Sequence, residues 1–367
     1  MNIKSIVCFT ESMAGGGAEH QMSFLANFLV EKGYNVSLVT YTDIPDHYPI
    51  NDAINRIVIG KGKGKICKAI EIFKFFFRVR TDCVITFRQR CNARALVPLL
   101  FRPNIKVIAG ERNTTKGTPD SYERLLFGFL YRRADWIVAN SITQRDYLYR
   151  LKPQWKDKTL TIHNYTDLSI FTPDDSVFDD ISLIKIGVFS RFSKQKNFYN
   201  FARMLSRLKP LTKQKFKVTW YGQTKGSIDG FNADYLRSKE LIAALSLEDV
   251  IELRQAVQDV SDHINKYHVI CLPSLYEGFS NSVAEGISTG RPMLVSNVSD
   301  NKYMVIDGRN GFLFDPENIQ SMCNAFLQFF QLDSATMRVF GKESRSIAEK
   351  LFCKDLFITD YVRLIES

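Results

Sequence analysis

The chain has 367 residues, 45% of them hydrophobic and 24% charged, which places it with globular proteins and gives it length enough for two domains. No apolar run approaches the roughly 20 residues that span a bilayer. The formal net charge of +10 asks for an acidic partner, and nucleic acid, anionic lipid and phosphorylated small molecules all qualify.

The opening stretch, MNIKSIVCFTES, reads directly into a strand and lacks a signal-peptide layout. Apolar runs at 5–10, 35–41, 56–60, 83–87, 106–110, 136–140 and 159–163 read as strands, with helical patterns between most of them. They are continuous rather than alternating, as parallel strands buried on both faces are. Segment 164–183 carries Pro173 and four aspartates between 174 and 180, lacks helical periodicity, and reads as a linker. Strands resume at 184–190, 217–222, 250–254, 269–274, 292–297 and 311–315, and the tail beyond about 316 is helical. The fold class expected is α/β: two Rossmann-like domains, 1–170 and 183–350, with parallel sheets facing across a cleft. A last helix near 352–367 is placed to pack back on the first domain. Seven cysteines without a CxxC pair read as reduced thiols and a cytoplasmic protein.

Ligands in such sheets bind beyond the carboxyl ends of the strands, so the loops after strands carry the function. Glu11 to His20 joins the first strand to a helix through Gly15, Gly16 and Gly17. Glycines there let backbone approach a ligand, and the helix start offers N–H groups to an anion. His20 stands where a dinucleotide fingerprint would need its third glycine. In Ser190–Asn197, Arg191 and Lys196 follow a strand and together would neutralise a diphosphate, including charge developing on it as it leaves. In Pro273–Gly286, Glu277 precedes a helix expected from about Asn281 and Glu285 lies within it. Gly278, Phe279 and Ser280 form the turn between, and the Asn281, Ser282 and Val283 amides face a phosphate. Two carboxylates flanking a phosphate site suit the vicinal hydroxyls of two sugar rings.

These residues resemble the retaining, GT-B-fold glycosyltransferases of family 4, most clearly from about 184 to 330. Glu277 and Glu285 match that family's E-x7-E motif within EGFSNSVAEG. The resemblance implies that Glu277 meets the transferred sugar and Glu285 the ribose of the donor nucleotide. Arg191 and Lys196 become the pyrophosphate ligands, with Asn197 beside them. It also implies Gly16 and Gly17 facing phosphates, Gly222 near the nucleotide, and backbone at Ala256 and Val257 meeting the base. Glu111, in Glu111-Arg-Asn113, resembles a first-domain segment of members that extend lipid-linked glycans. One departure stands out: Arg88-Gln89-Arg90 follows the strand VITF where many members have a histidine, leaving His20 and Glu111 as candidates for the first-domain contact to the sugar.

The activity implied is transfer of a sugar from a nucleotide diphosphate with retention. It needs no enzymic nucleophile, no cofactor and no metal, since no D-x-D motif is present. The donor expected is a UDP-hexose or UDP-N-acetylhexosamine, with a GDP-mannose-dependent mannosyltransferase as the alternative. Residues 61–80, rich in lysine and arginine and carrying four phenylalanines, read either as a helix packed on the first sheet or as a segment lying in an anionic headgroup layer. With the aromatic and basic stretch 121–133, they favour a polyprenyl-diphosphate-linked acceptor and a peripheral place on the cytoplasmic face of the inner membrane. A basic nucleic-acid-binding protein would share the charge, but the cations are dispersed and no nucleic-acid partner is expected.

Overall fold

The computed structural model describes residues 4–112, 121–225, 232–257 and 259–367; Asn113 lies outside them. The chain divides into two compact units, Met1–Tyr165 with Lys354–Ser367, and Thr166–Cys353. In the first, strands β1 (Ser5–Phe9), β2 (Asn35–Thr40), β3 (Asn55–Val58), β4 (Cys83–Phe87), β5 (Lys106–Glu111), β6 (Trp136–Ala139) and β7 (Thr159–Thr161) form one sheet in the order β3-β2-β1-β4-β5-β6-β7. In the second, β8 (Leu183–Phe189), β9 (Lys215–Gly222), β10 (Ile251–Gln255), β11 (Val269–Leu272), β12 (Met293–Ser296) and β13 (Gly311–Phe314) run β10-β9-β8-β11-β12-β13. Every pairing is parallel; Ile6, for instance, stands opposite Val36 on one side and Cys83 on the other. Each expected strand is present, its ends moved by no more than two residues.

Continuous apolar strands imply two cores per sheet, and both units have them. Ile6 and Cys8 join one core while Val7 and Phe9 join the other. In the second unit Cys271 and Leu294 face the core under helix Phe198–Leu208, whereas Ile270, Leu272 and Met293 face helix Asn281–Ser288. Strand order reverses between β1 and β4 in the first sheet and between β8 and β11 in the second. A crevice opens at such a reversal, beyond the carboxyl ends of the two strands. The loops after β1, β4, β8 and β11 meet that condition, and they are the loops rich in glycine and charge.

Residues Lys354–Glu366 form a helix that belongs to the first unit. Its Phe357, Ile358, Tyr361, Leu364 and Ile365 enter the core shared with helix Gly17–Glu31. Arg112, buried at the end of β5, donates to the Tyr361 hydroxyl at 2.7 Å and to Asn164 at 2.5 Å, and its guanidinium lies 3.9 Å over the Phe87 ring. Burial depresses the Arg112 pKa and raises that of Tyr361. Segment 164–183 divides after Tyr165, and the rest packs on the second unit. A short helix, Ser176–Asp179, buries Phe178 there, Arg291 lies 4.8 Å over its ring, and Arg338 pairs with Asp179. Among the described residues no helix is long and apolar enough to cross a membrane.

Candidate functional site

In the second unit the loops after β8 and β11 are stitched together residue by residue. Leu275 N–H donates to the Gln195 carbonyl at 2.9 Å, and the Gln195 amide donates to the Tyr276 carbonyl at 2.9 Å. Lys196 Nζ reaches Glu277 Oε1 at 2.5 Å, with both side chains largely buried. Asn197 holds a left-handed backbone, φ 62° and ψ 34°, which asparagine tolerates better than most residues. Its amide donates to the Pro273 and Pro316 carbonyls at 3.0 and 2.7 Å. Asn197 is therefore a positioning residue: its side chain fastens three loops instead of facing a ligand. Arg191 stays exposed, without an ion pair among the described residues, and is the cation of this pair left open to an anion.

The helix after this loop, Asn281–Ser288, starts from Ser280 without a side-chain cap, and the Ser280 hydroxyl is buried and unpartnered. The Val283 amide is already bonded to the Ser280 carbonyl at 3.1 Å, so of the three amides expected to face a phosphate this one is engaged within the turn. Phe279 is a core residue, edge-on to Phe352 at 6.0 Å. Gly278 does not adopt positive φ; the turn is held by Ser299, whose hydroxyl donates to the Gly278 carbonyl at 2.6 Å from a strained backbone with φ 49°. Glu285, partly buried, finds no hydrogen-bond or ion-pair partner for its carboxyl among the described residues. Burial alone pushes its pKa up to about 8. A neutral carboxyl at pH 7 can both donate and accept, which suits a diol. Gly222 abuts the Ser190 carbonyl, and the Ala256 amide donates to the Gly222 carbonyl at 2.8 Å, with Val257 next along the chain past β10.

In the first unit the loop after β1 delivers Gly16 and Gly17 to the start of helix Gly17–Glu31. Gly16 is extended, φ −172°, a conformation open to any residue, so its freedom is not what the site uses. A Cβ there would lie 2.5 Å from Glu19 Oε2. The missing side chain makes room for the buried Glu19 carboxylate, which pairs with Arg88 at 2.9 Å. Burial raises the Glu19 pKa against the opposing pull of Arg88. Arg88 follows β4 with φ 80°, a strained position for an arginine, and also approaches Glu11 at 3.6 Å. His20 stacks on Tyr48 at 4.3 Å and against Phe24 at 4.4 Å. Glu111 is fully buried, accepting from Gln89 at 3.1 Å, from Asn92 at 3.3 Å and from the Tyr131 hydroxyl. Arg88 follows β4 and His20 lies in the first turn of the helix after β1, the two strands between which the order reverses, while Glu111 ends β5.

Residues 184–331 match the family Glycosyl transferases group 1, and residues 15–170 match Glycosyltransferase Family 4. The chain belongs to glycosyltransferase family 4. It is accordingly a transferase that uses a nucleotide-sugar donor, and its two parallel sheets are those of the GT-B fold. The amylovoran biosynthesis glycosyltransferase AmsD of Erwinia amylovora is 24% identical over 82% of this glycosyltransferase and 84% of its own length. The UDP-Gal:alpha-D-GlcNAc-diphosphoundecaprenol alpha-1,3-galactosyltransferase of Escherichia coli is 32% identical over 88 residues, 24% of this chain and 22% of its own. The crystal structure of Anabaena Alr3699/HepE in complex with UDP and glucose shares the fold, with TM-score 0.81 at 15% identity over 99% of both chains.

Three groups of this glycosyltransferase's site were not singled out from its sequence. Gln195 and Ser299 act on partners 81 and 21 positions away through backbone carbonyls, a relation that no local spacing encodes. In the sequence Arg88 stands out only as the residue in a histidine's place, and its charge meets Glu11 and Glu19 once β1 and β4 are neighbours.

Proposed function

We propose that this glycosyltransferase works with retention and without a metal. It moves a hexose or N-acetylhexosamine from UDP to a glycan on a polyprenyl diphosphate, in cell-surface polysaccharide synthesis at the cytoplasmic face of the membrane. The observation that carries the donor half is the buried Lys196–Glu277 pair at the strand reversal of the second sheet, just ahead of an uncapped helix start. Arg191 and Lys196 take the diphosphate, Glu277 the hydroxyls of the transferred sugar, and Glu285 the ribose hydroxyls. As the sugar–phosphate bond breaks, charge grows on the departing diphosphate, and the fixed cations stabilise it more in the transition state than before it. The acceptor hydroxyl attacks from the face the diphosphate leaves, and a phosphate oxygen takes its proton.

UDP as the nucleotide is supported by the UDP held in the Anabaena protein, and a lipid-linked acceptor by the name of the Escherichia coli relative. The test offers the purified protein UDP-glucose, UDP-galactose, UDP-N-acetylglucosamine and GDP-mannose, each with a glycan diphosphate lipid, in EDTA. One UDP-sugar should be consumed at full rate, with an α-linked product by NMR. Use of GDP-mannose, a β-linkage, or loss of activity on chelation would each overturn the corresponding part.

A further inference from the structure

The loop between β8 and helix Phe198–Leu208 contains one residue, Gln195, that grips three consecutive residues of the loop carrying Glu277. Its carbonyl accepts from Leu275 N–H at 2.9 Å, its amide donates to the Tyr276 carbonyl at 2.9 Å, and the same nitrogen lies 3.5 Å from Glu277 Oε2. Lys196, the next residue, takes the other carboxylate oxygen at 2.5 Å. Adjacent side chains of one loop thus bracket both oxygens of a carboxylate on another. An ion pair alone leaves a carboxylate free to turn about its donor, whereas a contact on each oxygen fixes its plane.

We infer that Gln195 is a positioning residue for Glu277, setting its carboxylate so that the oxygens meet the hydroxyls of the transferred sugar. This rests on the proposed role of Glu277. The amide nitrogen is the atom that matters, because the Tyr276 carbonyl can only accept. A glutamate in this place has the same shape but offers no donor when ionised, and it sets a second negative charge beside Glu277. On taking up a proton it regains an O–H that can donate to the same carbonyl. Methionine has similar length and no donor at any pH.

The test compares wild type, Gln195→Glu and Gln195→Met in UDP binding and in UDP-glucose turnover, including slow hydrolysis without acceptor. UDP lacks the sugar, so its affinity should stay within about threefold of wild type in both variants, while turnover at pH 8 falls about ten- to hundredfold, as loss of a hydrogen bond to a charged group implies. Relative to wild type at each pH, Gln195→Glu should recover as pH falls from about 8 toward 5.5, and Gln195→Met should not. Equal losses that ignore pH, or turnover within twofold of wild type in both, would overturn the inference by reducing Gln195 to a space-filler. A crystal structure of unliganded Gln195→Met judges the contact without substrate: Glu277 should leave its pose, and the wild-type pose there would also overturn it. Wild type that binds no UDP would instead tell against the donor reading, with the crystal structure still deciding the role of Gln195.

Discussion

At Gly222 a methyl group would sit 2.7 Å from the Ser190 carbonyl oxygen and 2.8 Å from the Phe192 ring. Both neighbours belong to the loop that carries Arg191 and Lys196, so the glycine lets the end of β9 support that loop from beneath. Gly222→Ala should cost about 1–3 kcal/mol of stability through overpacking, read as a lower denaturation midpoint, and weaken UDP binding by shifting the loop. Unchanged stability would show that the loop yields freely. Glu285 makes a different prediction. Its folded-state pKa of about 8 lies above the ordinary 4.5, so between those values the folded chain holds a proton that the unfolded chain has released. Stability contributed by the neutral form is present at low pH and lost as pH rises through about 8. Glu285→Gln should therefore raise the melting temperature more at pH 8–9 than at pH 5, by an amount equivalent to about 1–3 kcal/mol, while weakening UDP binding. A variant no more stable than wild type at high pH would refute the buried, partnerless carboxyl.

Helix Lys65–Arg78 has apolar residues on both a buried and an exposed face. Ile72 and Phe76 enter the core that holds Val7 and Phe9, while Ile66, Ile70, Phe73 and Phe77 stay exposed, with Phe73 and Phe77 stacked at 5.9 Å and Phe101 exposed beside Phe77. The segment packs on the sheet, as the first reading of it expects, and keeps an exposed apolar stripe among lysines, on which the headgroup-layer reading rests as a proposal. An exposed stripe rimmed by cations fits an anionic headgroup layer, where each cation contributes about 1 kcal/mol. Phe73→Glu/Phe77→Glu should reduce co-sedimentation with phosphatidylglycerol vesicles at least tenfold and leave UDP binding intact, since neither ring is in a core; equal sedimentation would remove the membrane from the proposal. The strands were legible because each is a short apolar run between breakers, a signal local in the chain. The E-x7-E spacing and the Arg191–Lys196 spacing are local signals of the same kind, and of these residues the structure joins Lys196 to Glu277. What stayed hidden was contact across distance: Asn197 looked like a ligand because nothing near it in sequence reveals that Pro273 and Pro316 claim its amide. The glycines of the first loop were read for backbone freedom, yet Gly16 serves the volume of Glu19, which depends on where Arg88 arrives from β4.

On the scale of the whole molecule, the two units are built on one plan: a parallel sheet whose order reverses once, with the charged loops at the reversal. The first unit differs in being discontinuous in the chain, since helix Lys354–Glu366 completes it. That helix covers Phe28, Tyr165 and Phe87 and supplies the hydroxyl that Arg112 meets inside the core. During synthesis the ribosome delivers these residues only after the entire second unit has emerged. Until then Arg112 has Asn164 and the Phe87 ring but not the Tyr361 hydroxyl, and the first unit has a bare aromatic face. Domains usually fold in the order they are made, but here the nascent chain can finish its second globule before its first. A premature stop near residue 350 would spare nearly all of the second unit and leave its neighbour as a sticky, half-closed intermediate for chaperones and proteases to sort.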